Sequence, residues 1–177
     1  MCHIVGRGKR RKWRLATKNL NAREVESLYV KHGPALTAYV CCCGLDFASA
    51  EDVVQQVFLK LLQGQNSMPQ TPPAYLFRAV RNASLNLRRN RQHEVGMQEN
   101  ETWFVGPSAH PEEVLTLQAA LRTLPEEQRE TVFLKVWGGL TLQEIADTLE
   151  IPVNTAASRY RYALGRLWEQ LRPAQEG

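Results

Sequence analysis

The stretch that decides the fold is residues 124–171, LPEEQRETVFLKVWGGLTLQEIADTLEIPVNTAASRYRYALGRLWEQL. Apolar residues recur at helical spacing in three runs. The first run ends at Gly138-Gly139, and the second cannot pass Pro152, which disfavours helical conformation at Ile151 and has no amide donor. The stretch therefore predicts three helices separated by two sharp breaks.

Local signals place the beginnings of these helices. Pro125 suits a first helical turn, and Thr141 with Glu144 three residues later forms a capping box. Asn154 or Thr155 is predicted to cap the last helix. The expected buried stripes are Val132, Phe133, Val136 and Trp137 in the first helix, Leu142, Ile145, Ala146 and Leu149 in the second, and Ala156, Tyr160, Ala163, Leu167 and Leu171 in the third.

A short helix, a tight turn and a longer helix form a helix-turn-helix, a motif that places its last helix in the major groove of DNA. The polar face of that last helix can reach phosphates and base edges. This face carries Asn154, Thr155, Ser158, Arg161 and Tyr162, with Arg159 on its flank. A helical hairpin with a solvated polar face is the alternative.

The chain has 177 residues, with 22 Lys and Arg against 18 Asp and Glu. Seven of those basic residues lie in residues 1–18, which contain no acid. Such a run is usually disordered, and its charge suits a polyanion, but a solvated tail or a start codon assigned too early is the favoured explanation. We therefore predict that residues 1–20 form a basic N-terminal tail. No signal peptide or membrane-spanning stretch is evident, so we expect a cytoplasmic protein without membrane insertion.

Cys41, Cys42 and Cys43 are consecutive, so on a helix they point in three directions and cannot ligate one metal. Cys2 stands alone, and there is no paired C-x-x-C spacing. We interpret the cysteines as small core and boundary residues in a reducing compartment, with no metal site and no cofactor.

Residues 21–43 are predicted to be helical, with a break or bend at Gly33-Pro34. A second helix is predicted to be capped by Ser49. Its apolar side is Val53, Val54, Val57, Phe58 and Leu61, and its other side is Asp52, Gln55, Gln56 and Leu59. A leucine ringed by an acid and two amides is typical of an interaction surface, although a single exposed leucine is also common.

Pro72-Pro73 opens a third helix that contains no acidic residue up to Arg91. Its expected apolar side is Leu76, Val80, Ala83 and Leu87, and its basic side is Arg78, Asn82 and Arg89, flanked by Arg81, Asn86 and Arg88. A basic, amide-bearing stripe suits nucleic acid. Phe77 is predicted to lie in the core, while Tyr75 fits the core and stacking on an unpaired base equally well.

Residues 92–110 have no apolar period and contain an acidic cluster, so they are predicted to be a flexible linker. A further helix opens at Pro111 and leads into the stretch 124–171. The sequence therefore predicts an all-α protein with two small helical domains, residues 21–91 and 111–172.

Three segments resemble parts of a known family. AEDVVQQVFLKLL and AYLFRAVRNASLNLRR resemble region two of bacterial RNA polymerase sigma factors, including its promoter-melting helix. LPEEQRETVFLKVWGGLTLQEIADTLEIPVNTAASRYRYAL is similar to region four. Their order and spacing, without other sigma regions, resemble the extracytoplasmic-function group of the sigma-70 family over roughly residues 22–171.

The resemblance implies partners and roles. Asp52, Gln55, Gln56 and Leu59 would bind core polymerase. Tyr75, Arg78, Arg81, Asn82, Arg88 and Arg89 would hold the minus-ten element, and the loop 64–71 would receive an extruded base. The polar face of the last helix would read the minus-thirty-five element. An anti-sigma factor is a further implied partner.

Some residues depart from the family pattern. Gln56 replaces a usual Glu, Tyr75 a usual Trp and Asn86 a usual Asp. In the last helix Ala157 and Tyr162 replace usual basic residues. The promoter sequence therefore cannot be inferred from relatives.

The four histidines are scattered and none has a partner at a spacing typical of a catalytic site, so we expect no enzymatic activity. Two other classes remain open. One is a helix-turn-helix regulator that acts without polymerase, and the other is an adaptor that uses the surface around Leu59.

Overall fold

The computed structural model describes residues 20–64, 72–91 and 111–171. Within these ranges all regular structure is helical, as predicted. The helices are α1 (Ala22–Cys42), α2 (Phe47–Leu62), α3 (Pro72–Arg91), α4 (Pro111–Arg122), α5 (Glu126–Val136), α6 (Leu142–Leu149) and α7 (Val153–Leu171). None of the described helices is long and apolar enough to cross a membrane. The predictions for the basic tail, for most of the loop 64–71 and for the linker fall outside the described residues.

Of the break or bend predicted at Gly33-Pro34, the break does not occur, because α1 is one continuous helix. A capping box between Asn21 and Glu24 opens the helix, which then continues through Pro34 to Cys42. Proline removes one backbone donor, but the turns beyond it are held by buried apolar side chains. These side chains are Leu36, Tyr39 and Val40.

Helix α2 begins before Ser49, which corrects the predicted cap. The N-cap is Asp46, whose Oδ1 accepts a hydrogen bond from the Ser49 amide at 2.8 Å. Its Oδ2 accepts the Ser49 hydroxyl at 2.6 Å. An aspartate satisfies an orphan amide as well as a serine does, so the helix gains one turn at its start.

The helix-turn-helix forms as the sequence predicts, with one correction. Thr141 and Glu144 make the capping box that opens α6. Helix α7 already begins at Val153, so Asn154 and Thr155 lie in its first turn and do not cap it. The carbonyl of Pro152 instead accepts the first helical hydrogen bonds, from the amides of Thr155 and Ala156.

Two residues of the predicted apolar stripes are exposed. Val136 in α5 is 55% exposed, and Leu171 at the end of α7 is also exposed. Both are the last residues of their helices. The chain turns away from α5 immediately afterwards, at Gly139, which has φ +65°.

Helices α1–α3 pack together as the N-terminal half, and α4–α7 as the C-terminal half. The two halves also pack against each other. The Tyr39 ring lies 5.3 Å from Phe77 and 5.8 Å from Phe133, measured between centroids. A Cβ atom on Gly138 would lie 3.1 Å from the Phe77 ring, so α3 approaches the C-terminal half closely. The apolar core is therefore continuous between the halves.

The consecutive cysteines are core residues, as predicted. Burial raises the pKa of the Cys41 thiol to about 11 and that of Cys42 to about 12, and it raises the pKa of Cys43 as well. Thiols with raised pKa values are poor nucleophiles, which fits a structural role in packing α1. Cys2 lies outside the described residues.

Candidate polymerase and nucleic-acid interfaces

The polar-rimmed face of α2 forms as expected. Asp52, Gln55, Gln56 and Leu59 are all exposed, and Leu59 is 54% exposed. The five predicted apolar residues on the opposite side are buried. The structure adds Leu62, which lies one turn beyond Leu59 and is also exposed. Its i+3 spacing from Leu59 was the signal that sequence reasoning missed. We call these five residues the α2 face.

The basic side of α3 divides into two flanks. On the first, Asn82 and Arg89 are exposed, and Arg89 Nη2 donates a 3.3 Å hydrogen bond to Asn86 Oδ1. Tyr75 is half-buried on this side, and burial raises the pKa of its hydroxyl. Phe77 is buried, which confirms its predicted core position. Asn82, Asn86 and Arg89 on this flank are thus accessible to solvent.

The second flank of α3 faces the C-terminal half, and its arginines hold three glutamates. Arg78 Nη2 lies 3.0 Å from Glu150 Oε1, and Arg81 Nε lies 2.8 Å from Glu130 Oε1. Arg88 Nη1 lies 2.5 Å from Glu126 Oε1. Half of the six residues predicted to hold the minus-ten element therefore have acidic partners in this arrangement of the chain. Sequence patterns do not reveal these partners, which are 38 to 72 residues away.

The Arg81–Glu130 pair is the most buried of the three, with side-chain exposures of 22% and 11%. The Tyr39 hydroxyl donates to the same Glu130 oxygen at 2.5 Å. Burial tends to lower the pKa of Arg81, but the charge of Glu130 and its hydrogen bond outweigh this effect and raise it. Burial, together with the nearby Cys43 and Glu130, raises the pKa of Tyr39 well above its usual value. Glu130 therefore links α1, α3 and α5.

Helix α7 presents the predicted polar face, although not all of it equally. Asn154, Arg161 and Tyr162 are exposed, while Thr155, Ser158 and Arg159 are half-buried. The Ser158 hydroxyl donates to the Thr155 carbonyl at 3.0 Å. The Arg161 guanidinium lies 5.2 Å from the centroid of the Tyr162 ring, within the range of a cation–π contact. This contact holds the two side chains together on the outer face.

A second exposed stripe on α7 was missed by the sequence reasoning. Leu164, Trp168 and Leu171 are exposed at i, i+4 and i+7 spacing, and Trp168 is 72% exposed. Apolar residues at helical spacing usually indicate a buried face, so the sequence pattern wrongly predicted that Leu171 is buried. Single exposed apolar residues are common, but three in one row form a surface patch.

In the part of the chain that the structure describes, no group of three or more His, Cys, Asp or Glu residues could hold a metal ion. His32 is part-buried, and burial followed by the charge of Lys31 lowers its pKa.

Two family models match the chain. Residues 28–94 match sigma-70 region 2, and residues 115–167 match region 4 of sigma-70. The first match contains the α2 face and the basic side of α3, and the second contains α6 and α7 up to Leu167. Together they cover more than half of the chain.

Similar curated proteins are sigma factors of the extracytoplasmic-function (ECF) group. The chain is 32% identical over 120 residues to SigE of Mycolicibacterium smegmatis, a match of 62% of this chain and 47% of SigE. It is 29% identical over 154 residues to SigL of Mycobacterium tuberculosis, which covers 81% of this chain and 86% of SigL. It is 27% identical over 157 residues to RpoE of Cereibacter sphaeroides, with coverages of 81% and 84%. The chain thus spans about half of SigE but most of SigL and RpoE.

Solved structures show the same arrangement of helices. The sigma factor RpoE of Bartonella quintana, crystallised with the anti-sigma factor NepR, is similar with a TM-score of 0.72 and 25% identity. That match covers 87% of this chain and all of RpoE. CnrH, solved with the cytosolic domain of CnrY, is similar in fold with a TM-score of 0.57 and 24% identity, over 84% of this chain and 88% of CnrH.

Proposed function

Because this chain belongs to the ECF group of the sigma-70 family of RNA polymerase sigma factors, we propose that it directs core polymerase to particular promoters and helps to open them. The observation that carries the proposal is the order of three polar or basic helix surfaces along the chain. They are the α2 face, the basic side of α3 and the polar face of α7, and each lies inside the matching family region.

The α2 face would bind core polymerase. An apolar centre, Leu59 with Leu62, is rimmed by Asp52, Gln55 and Gln56, which is the composition of a binding hot spot with a polar rim. It lies on a regular helix whose opposite side is buried, so it is presented rigidly. Rigid presentation lowers the entropy cost of binding.

The basic side of α3 would hold the minus-ten element as its strands separate. Arg78, Arg81, Arg88 and Arg89 supply charge for phosphates, Asn82 supplies an amide, and Tyr75 supplies an aromatic ring beside them. Stacking and charge together offset the few kcal/mol that unstacking a base costs. Helix α7 would enter the major groove at the minus-thirty-five element, with Asn154, Thr155, Ser158, Arg159, Arg161 and Tyr162 as its contact residues.

The chain would act in the cytoplasm, as a specificity factor and not as an enzyme, because the polymerase performs the chemistry. Promoter DNA and core polymerase are its proposed partners. An anti-sigma factor is a third, since both similar solved structures contain such a complex or the cytosolic domain of a second protein.

The test uses the purified chain, core polymerase and pooled genomic DNA fragments. A sigma factor retains specific duplex fragments only when core polymerase is present, and their sequences then define the two promoter elements. Retention of the same fragments by the chain alone would instead support a regulator that acts without polymerase. Binding of core polymerase with no selection of fragments would support an adaptor.

Arg89→Ala is expected to reduce promoter opening roughly tenfold while leaving closed-complex formation nearly unchanged. Arg89 is exposed on the open flank of α3, and one charge-assisted contact is worth about 1.5–3 kcal/mol. Permanganate reactivity of unpaired thymines measures opening, and a gel shift at low temperature measures the closed complex. Lys31→Ala removes the same charge from an exposed position on α1 and should behave like wild type. Normal permanganate reactivity in Arg89→Ala would refute this role.

Arg161→Ala is expected to lose roughly 1–3 kcal/mol of binding to the minus-thirty-five element if Arg161 reads a guanine. If it contacts only phosphate, the loss should be uniform across sequences, with the salt slope reduced by about one unit. Titrations on matched and scrambled elements at two salt concentrations separate these cases. Arg166→Ala, an exposed change elsewhere on α7, is the control. If Arg161→Ala bound both DNAs as tightly as Arg166→Ala, the proposed orientation of α7 would be incorrect.

A further inference from the structure

Two apolar side chains border the polar face of α7 at the end of the helix that would enter the groove. Val153 is the first residue of α7 and is 39% exposed, and Ala157 is half-buried four residues later. Residues four apart are neighbours on a helix, so these two form an apolar row. The adjacent row, Asn154 and Ser158, is polar. The first two turns of α7 therefore present two rows of different chemistry.

The first turn of α7 is fixed by the backbone and by burial, so the position of Val153 is well defined. The Pro152 carbonyl accepts hydrogen bonds from the amides of Thr155 at 2.9 Å and Ala156 at 3.1 Å. Ala156 is fully buried, which sets the rotation of the helix about its axis. A valine in a helix also has one strongly preferred side-chain rotamer. The exposed methyl groups of Val153 are therefore presented in one direction.

A row without donors or acceptors cannot read a base by hydrogen bonding, but it can contact a methyl group. Thymine is the one base that presents an apolar group in the major groove, its C5-methyl. The N-terminal residues of a recognition helix are those that contact base edges. We propose that Val153 and Ala157 contact the C5-methyl group of a thymine in the minus-thirty-five element, and that this contact selects thymine at that position. The inference rests on the proposed function of α7.

Arg161 continues the line that Val153 and Ala157 begin. It lies four residues beyond Ala157, which is about 6 Å further along the helix axis. Its guanidinium lies 5.2 Å from the centroid of the Tyr162 ring, and a guanidinium suits the acceptor pair of guanine. One line on α7 thus offers a methyl contact at the helix start and a guanine contact two turns later. The selected element should therefore contain both a thymine and a guanine.

The test removes a single methyl group from the DNA. Deoxyuridine pairs as thymidine does but lacks the C5-methyl, so each thymine of the selected minus-thirty-five element, on either strand, is replaced by uracil in turn. Holoenzyme assembled from the full chain and core polymerase is titrated with each fluorescent duplex. One buried methyl group contributes about fourfold to a binding constant. We expect a roughly fourfold loss of affinity at the thymine that the apolar row contacts.

Two variants assign this loss to the start of α7. Val153→Ser replaces both methyl groups by a hydroxyl, and serine is well tolerated near a helix start. This variant should bind the thymine and uracil duplexes equally at the affected position. Leu164→Ser is the matched control, because Leu164 is 43% exposed and lies about three turns further along the same side of α7. It should keep the fourfold ratio. Each ratio is measured within one protein, so a general loss of affinity or stability cancels.

Three results would overturn the proposal. They are equal affinities for thymine and uracil at every position with the wild type, a ratio that survives in Val153→Ser, and a ratio that Leu164→Ser loses as well. A scrambled minus-thirty-five element is titrated in parallel. Wild-type holoenzyme that does not prefer the matched element would refute the proposed function itself, whereas a clear preference without any effect of the methyl group would refute only this reading of thymine.

Discussion

Replacing Phe133 by alanine is expected to lower the free energy of unfolding by about 3–5 kcal/mol, the usual cost of removing a buried phenylalanine. Phe133 is 1% exposed, stacks on Trp137 at 5.0 Å between centroids, and touches Tyr39 across the junction of the halves. The alanine leaves a cavity that the surrounding helices can fill only in part. For a chain of this length, the melting temperature should fall by roughly 6–20 °C.

Val136→Ala is the matched control for this prediction. Val136 lies on the same helix, three residues later, but is 55% exposed, so its truncation should change stability by no more than about 0.5 kcal/mol. Urea unfolding followed by circular dichroism gives both values. If Phe133→Ala were as stable as Val136→Ala, the ring would not be part of the core as described.

The second large effect is expected at the α2 face. Asp52→Ala combined with Gln55→Ala should weaken binding to core polymerase by 2 kcal/mol or more, which is roughly thirty-fold. Both side chains rim the exposed leucines, and their removal leaves Leu59 without the polar surround that excludes water from a hot spot. The fold should survive, because neither side chain is buried.

Glu51→Ala serves as the control for the α2 face, since it removes the same charge as Asp52→Ala at the neighbouring exposed position, about 100° around the helix. Fluorescence titration with labelled core polymerase measures the dissociation constants. Equal constants for the double variant and Glu51→Ala would place the polymerase contact elsewhere on the chain.

Local patterns predicted most of the helices correctly because a helical stripe depends only on spacing. The apolar side of α2, the capping box at Thr141 and the end of α5 just before Gly138-Gly139 follow from a few neighbouring residues. Helix ends were less predictable. Asp46 and Ser49 are both good caps three residues apart, and the structure uses Asp46.

The residue types of the candidate site could be predicted from the sequence, but the ion pairs that its arginines form could not. The sequence indicates that Arg78, Arg81 and Arg88 lie away from the apolar side of α3, and a solvated face or a DNA-binding face explains that equally well. Their partners belong to helices that are adjacent only in the folded chain. Glu130 in particular reads as an ordinary surface acid of α5, and only the tertiary structure shows its contact with Tyr39.

Run-off transcription tests the central claim most directly. Purified core polymerase is given a template carrying a promoter selected from the genomic pool, with wild-type chain, the Asp52→Ala and Gln55→Ala variant, or no added chain. We expect a transcript with a defined start site with the wild type, little transcript with the variant when the protein concentration is limiting, and none from core polymerase alone. A chain that retains the template but yields no transcript above core polymerase alone would contradict its function as a sigma factor.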